Sequence, residues 1–251
     1  MSAGVRTMGF PGRYLQGPGA LLLLPRLLTE LGARRVVLLA DGVVRATLQA
    51  RLDAAWRDAP VLQPTWLDFA GECSAAAIEQ LAQQAGECDT VVALGGGKAI
   101  DTGKGLAKRR GARLVIAPTI ASNDSPTSRL IVLYDAQHRV AGVELLARNP
   151  DVVLVDTDVI AAAPVRFLAA GIGDALSKQF ESAQCHLAGG KNFFGTRSLP
   201  TARLLARRCH ETIVEFGVAA LAQVRTQQRP DDAVEEVVEA AVLLSGIGFE
   251  S

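Results

Sequence analysis

The sequence predicts an α/β fold: an N-terminal Rossmann-like parallel-sheet domain followed by an all-helical domain. Three observations carry this expectation. Short β-branched runs are apolar without alternation, helical patterns separate them, and the texture turns wholly helical after Pro164. The runs are RVVLLAD at 35–41, TVVALGG at 90–96, ARLVIAPT at 112–119 and DVVLVDT at 151–157, the pattern of strands covered on both faces. Asp41 stands before a helical stretch, GVVRATLQARLDAAW; SAAAIEQLAQQAG at 74–86 and KAIDTGKGLAKRR at 98–110 carry the same period. Strands alternating with helices imply a layered α/β domain. RLIVLYDAQHRVAGVEL at 129–145 places two short runs around a polar turn and reads as a β-hairpin. Beyond Pro164, RFLAAGIGDALSKQFESAQCHLA, LPTARLLARRCHETIVEFGVAALAQV and PDDAVEEVVEAAVLLSGIG show helical period only. The expected division is residues 1–162 and 163–251.

Composition narrows the function classes. The 251 residues are 49% hydrophobic, and 26 Lys and Arg balance 26 Asp and Glu. Zero formal charge offers no basic field for nucleic acid. The one dense basic run, KRRGAR at 108–113, reads as a solvated helix end with Gly111 as its C-cap. Cys73, Cys88, Cys185 and Cys209 form no CxxC pair and suit buried, reduced thiols. The start, MSAGVRTMGFPGRY, has no apolar leader core, and no stretch approaches the ~18 apolar residues of a membrane span. A cytoplasmic protein with no membrane or nucleic-acid partner is expected.

The stretch GGGKAIDTGKG at 95–105 follows the apolar run VVAL. Glycine between strand and helix lets backbone approach a ligand closely, and amides at a helix N-terminus suit an anion such as a pyrophosphate. The stretch matches neither G-x-G-x-x-G, because Ile100 stands where the third glycine belongs, nor G-x-x-x-x-G-K-[ST]. A tight turn without a ligand stays an equal alternative. Asp41 at its strand end suits a ribose diol and equally a helix N-cap. PTIASNDSPTS at 118–128 carries hydroxyls and amides with one carboxylate, Asp124, and reads as a ligand-facing loop or a run of turns.

PGRYLQG, FAGECS (69–74), GGGKAIDTGKG, APTIASNDSPTS, NPDVVLVDT, LAAGIGDAL (168–176) and LSGIGFES together resemble the metal-dependent, iron-type (group III) alcohol dehydrogenase family. That family includes glycerol dehydrogenases and relates distantly to dehydroquinate synthase. The resemblance runs from residue 11 to 251. It implies NAD-dependent, metal-assisted oxidation of glycerol to dihydroxyacetone and of related vicinal diols, in a homo-oligomer. By motif it assigns Asp41 to the adenosine ribose and Gly97 and Lys98 to the pyrophosphate region with Asp101 close by. Thr119, Ser122, Ser128, Leu130 and Tyr134 would meet other parts of the dinucleotide, Asp124 the polyol, and Asp174 zinc or another divalent metal such as iron.

The sequence departs from the family at the metal. Catalytic zinc takes three protein ligands, and the family's two histidine partners fall beyond Ser251. The metal site is therefore expected to be incomplete and the sequence truncated at its C-terminal end. His186 lies about 18 Å from Asp174 along a continuous helix. His138 is expected in the hairpin turn and His210 in a separate helix. Two further readings therefore stand beside the dehydrogenase: a non-catalytic NAD-binding remnant, and a glycerol-phosphate dehydrogenase or dehydroquinate-synthase-like enzyme. Against the last, the loop at 118–128 holds no lysine or arginine for a second phosphate.

Overall fold

The computed structural model describes residues 4–57 and 63–251. They form two compact units, and the polypeptide passes between these more than once. A sheet unit spans Gly12–Thr119 and Arg129–Asp156; a helical unit takes the segment ending at Pro11, Ile120–Ser128 and Thr157–Ser251.

The sheet unit opens with β1 (Arg13–Gly17), a 3-10 turn and α1 (Leu24–Glu30). There follow β2 (Val36–Ala40), α2 (Gly42–Arg57), β3 (Thr65–Asp68), α3 (Ala75–Ala85), β4 (Thr90–Gly95), α4 (Gly97–Arg110) and β5 (Arg113–Pro118). The antiparallel hairpin β6 (Leu130–Tyr134) and β7 (Val140–Leu145) precedes β8 (Val152–Asp156). Six strands pair in parallel in the order β1-β8-β5-β4-β2-β3. Every residue of β2, β4 and β8 is buried, which is why these strands read as continuous apolar runs. The edge strands β1 and β3 were not expected from the sequence. Half-exposed RYLQG and TWLD bury too little to show an apolar run.

Helix α4 ties the sheet to the hairpin through a buried ion pair. Lys104, fully buried, sits 3.1 Å from Asp101 and donates to the Leu130 carbonyl at 2.6 Å. Asp101 in turn accepts the Val132 N–H at 3.0 Å. Each buried charge thus has both a counter-charge and a backbone partner, the condition for holding it in a core. The helix ends at Gly111 in the left-handed region, as its sequence predicted. Lys108 and Arg109 from its last turn clasp Glu144 of β7 at 2.7 and 3.0 Å. Another carboxylate that sequence reasoning passed over is Asp156, 1% exposed at the end of β8. It accepts the Gly19 and Leu21 N–H groups and pairs with Arg51 at 2.9 Å, fixing the turn after β1 to the sheet.

The helical unit contains α5 (Thr157–Ala162), α6 (Val165–Leu187), α7 (Pro200–Gln227) and α8 (Asp232–Glu239); a π turn at Ala240–Leu244 leads into α9 (Ser245–Glu250). Pro164 fixes the start of α6, and the Asp231 carboxylate caps α8 by accepting from Val234 N–H at 2.9 Å. All four cysteines are free thiols. Burial pushes the Cys73 thiol up to about 11 and the Cys209 thiol to about 12, so neither is a ready nucleophile. No helix of the described residues is long and apolar enough to cross a membrane.

The Glu144 clasp gives an acid-sensitive contact. Hydrogen bonds from Arg109 and Lys108 lower its pKa from 4.5 to about 2. A depressed carboxylate contributes stability that is complete above its unfolded value and lost as pH falls through its folded value. Between pH 4.5 and 2 the clasp should therefore fade, by about 1 kcal/mol after surface screening. Glu144→Gln should lower stability by that amount at neutral pH, and the two proteins should converge at the acid end in denaturant titrations.

Candidate cofactor and substrate sites

The backbone runs from β2 outward to β3 and then crosses back to β4 on the other side of β2. Strand order therefore reverses between β2 and β4, and open α/β sheets bind ligands outside the carboxyl ends of the strands at such a point. In the register that pairs Leu39 with Ala93, Asp41 and Gly95 fall two residues further along, just at those ends. The fold brings together two features that are 54 positions apart in sequence.

Local chemistry explains each. Asp41 Oδ1 accepts the Val44 N–H at 2.8 Å, so the helix-cap reading is realised, and a carboxylate retains a second oxygen for another donor. Gly95 adopts φ +148°, and a Cβ there would lie 2.8 Å from the Ala99 methyl. The turn thus requires glycine twice over. Gly96 is the N-cap of α4 and offers no side chain, so the first-turn amides, Gly97 and Lys98 included, are left for an outside acceptor. Lys98 Nζ donates to Glu72 of the FAGECS stretch, and Glu72 also meets His138 Nδ1 at 2.9 Å. Lys98 first and His138 second hold the Glu72 carboxyl below its ordinary value. Thr119 follows β5, its N–H on the Gly95 carbonyl at 3.0 Å. Leu130 and Tyr134 bound β6.

Ser122, Asp124 and Ser128 belong to the other unit, on the loop Ile120–Ser128. The loop is indeed a run of turns: Asn123 Oδ1 accepts the Ser125 N–H and Ser128 Oγ donates to the Ser125 carbonyl. Two glycines let it lie directly on helices. A Cβ at Gly171 of α6 would stand 1.9 Å from the Ala121 carbonyl oxygen, and one at Gly246 of α9 would stand 2.0 Å from Thr127 Oγ1. Thr127 Oγ1 also donates to the Val242 carbonyl at 2.8 Å.

This seating places Asp124 beside α6. Lys178, its side chain 4% exposed, puts its ammonium 3.0 Å from Asp124 Oδ2, 3.2 Å from Asp174 Oδ1 and 3.6 Å from Glu181 Oε2, with the Phe249 ring centroid 4.7 Å away. Burial alone would lower the lysine's pKa, yet Asp124 and Asp174 outweigh it and the group is raised. Asp174 is also raised, by burial and then by the like charge of Asp124, which together exceed what Lys178 returns. The difference is one of count: the ammonium faces three carboxylates and Asp174 faces one ammonium. Sequence reasoning singled out Asp174 and Asp124 and missed Lys178. The signal was available as an Asp–Lys pair at i, i+4 in GIGDALSK, one helix face.

The expected metal can be tested against these donors. Asp174 Oδ2 is buried without a hydrogen-bond partner, as a ligand oxygen would be, but Lys178 occupies the ground between Asp174 and Asp124. Among the described residues no three His, Cys, Asp or Glu come together to hold an ion. His210 Nδ1 meets the Leu176 carbonyl at 3.2 Å and its ring stands edge-on to Phe180. As they stand, these residues do not fit a divalent metal.

A Rossmann-like parallel sheet with a carboxylate and a glycine turn at its switch point has the architecture of a nucleotide-binding domain. The iron-containing alcohol dehydrogenase family model matches residues 11–157. The chain belongs to the iron-containing alcohol dehydrogenase family. It is 43% identical to a glycerol dehydrogenase of Thermotoga maritima and 38% identical to one of Escherichia coli, each across 98% of this chain and 67% of the relative. The crystal structure of a probable glycerol dehydrogenase from Sinorhizobium meliloti superposes with a TM-score of 0.91 at 38% identity, over 98% of this chain and 67% of that one. That of a Schizosaccharomyces pombe glycerol dehydrogenase gives 0.92 at 31% identity, over 99% and 63%. The chain thus spans about two thirds of the length of these relatives.

The seating of the loop predicts opposite outcomes at two neighbouring glycines of α6. Gly171→Ala must displace a backbone carbonyl and should cost about 3 kcal/mol. Gly173 has open space around it, and Gly173→Ala should stabilise by about 0.5 kcal/mol through helix propensity. Thermal unfolding of the two variants checks both signs.

Proposed function

We propose that these 251 residues hold the NAD-binding and polyol-binding parts of a glycerol dehydrogenase, an enzyme that oxidises glycerol to dihydroxyacetone and accepts related vicinal diols. The supporting observation is the meeting of Asp41 with the Gly95–Gly97 turn at the reversal of strand order. Glycerol dehydrogenases at 38–43% identity across nearly the whole sequence supply the substrate class.

In this reading the Asp41 carboxylate accepts the adenosine ribose hydroxyls, and the first-turn amides from Gly97 onward receive the pyrophosphate. Lys98, exposed and paired with Glu72, exchanges that partner for phosphate oxygen. Asp101 stands behind the turn and, with Lys104, holds α4 in place. Thr119, Ser122, Ser128, Leu130 and Tyr134 contact the rest of the dinucleotide. Asp124 accepts a polyol hydroxyl and orients the carbinol carbon, from which a hydride passes to the nicotinamide while the hydroxyl proton is released to solvent water. No step is assigned to a metal, zinc or iron, because the donors around Asp174 do not fit one as they stand. Lys178 at that position also favours a second reading, in which the protein by itself binds NAD without turnover. The protein acts in the cytoplasm, and Leu204, Val214 and Val218, exposed on α7, supply apolar surface for assembly into a homo-oligomer.

Two measurements test this reading. A carboxylate at the ribose repels a 2′-phosphate, so calorimetry should show NAD binding about tenfold, or ~1.4 kcal/mol, more tightly than NADP, with Asp41→Ala erasing the difference. Equal affinities in the unsubstituted protein would remove the assignment. In a protein extended to the relatives' length, Asp124→Asn should lower kcat/KM for glycerol about tenfold or more while NAD affinity stays nearly unchanged. An equal loss of NAD binding would show that Asp124 serves the loop instead.

A further inference from the structure

In the helical unit the Lys178 ammonium stands between Asp124 and Asp174, at 3.0 and 3.2 Å, with Glu181 further off at 3.6 Å. Several features distinguish this from a surface ion pair. The lysine side chain is 4% exposed, its distances to two different segments are 3.0 and 3.2 Å, and an aromatic face closes another side. Asp124 arrives from the loop, whereas Asp174, Lys178 and Glu181 are spaced at i, i+4 and i+7 on α6. The loop is tied to the helices by Thr127 Oγ1, which donates to the Val242 carbonyl at 2.8 Å, and it packs directly on Gly171 and Gly246. Three negative charges around one cation leave an excess of negative charge, and Asp174 Oδ2 is still without a partner.

We propose that Lys178 is a tethered cation standing where a divalent ion would otherwise bridge Asp124 and Asp174, and that it keeps metal off this carboxylate pair. Like charges at contact distance in a buried setting repel strongly. An incoming ion would have to expel the ammonium from its three carboxylates and from the Phe249 ring. Removing the lysine head leaves the same carboxylates in place, held by α6 and the seated loop, with their negative charge uncompensated. Such a pair with room for water takes up an oxygen-preferring divalent ion. The inference stands on the helical unit alone and is independent of whether the protein binds NAD or glycerol.

The test uses Mn2+ and Zn2+ separately, without nucleotide or polyol, on the 251-residue protein and on its Lys178→Ala and Lys178→Ser variants. Calorimetry should show both variants binding one ion at least about tenfold more tightly than the native protein, and Asp174→Asn in the Lys178→Ala background should return affinity to the native level. Metal should also raise the unfolding temperature of the variants and leave that of the native protein unchanged. Native affinity equal to that of the variants, or no gain in either variant, would overturn the proposal. The native protein tests it without any substitution at Lys178: an unfolding temperature that rises with metal, and loses that rise in Asp174→Asn, would overturn it too.

Discussion

The reversal of strand order between β2 and β4 is the constraint from which the rest of the sheet unit follows. With right-handed crossovers, the segments leaving β2 and β4 pass to opposite faces of the sheet. The carboxyl ends of the two strands are then left uncovered. Whatever closes the turn after β4 must bend within a few residues while leaving helix amides exposed. Gly95, with its positive φ and the Ala99 methyl beneath it, meets that demand. The buried Lys104–Asp101 pair then fixes α4 to the hairpin, and so fixes the direction in which those amides point.

The helical unit solves a different problem: how to keep several carboxylates close without letting them push the structure apart. Glycines at 171 and 246 bring the Asp124 loop into backbone contact with two helices, and Lys178 supplies the charge that makes the approach tolerable. The raised pKa values of Asp174 and Lys178 express the same balance from the two sides. Burial and mutual repulsion strain the acid, while the lysine gains from every neighbour. Family membership describes what the relatives' scaffold supports, whereas this cluster is written in the residues of this particular protein.

Much of this was legible in the sequence, and the exceptions share physical causes. Interior strands announced themselves because burial on both faces leaves few polar positions, and the hairpin at 129–145 showed through its polar turn. Edge strands β1 and β3 did not, since a half-exposed strand of four or five residues carries no such run. Asp41, Asp124 and Asp174 stood out as carboxylates in marked surroundings. Lys104, Asp156 and Lys178 were passed over because a buried charge is indistinguishable in sequence from a solvated one until distant partners are brought beside it, such as Leu130, 26 positions from Lys104, and Gly19, 137 positions from Asp156. For Lys178 the i, i+4 partner was visible, but the loop carboxylate at Asp124 needed the fold.

In the proposed function the sheet's switch point, and not some other pocket of the protein, takes the dinucleotide. A crystal structure of the 251-residue protein grown with NAD tests it most directly. The pyrophosphate should lie over the amides that follow Gly96, the adenosine ribose on Asp41, and Lys98 should turn from Glu72 toward phosphate. A dinucleotide bound elsewhere, or one that leaves Asp41 and the Gly95–Gly97 turn untouched, would contradict it.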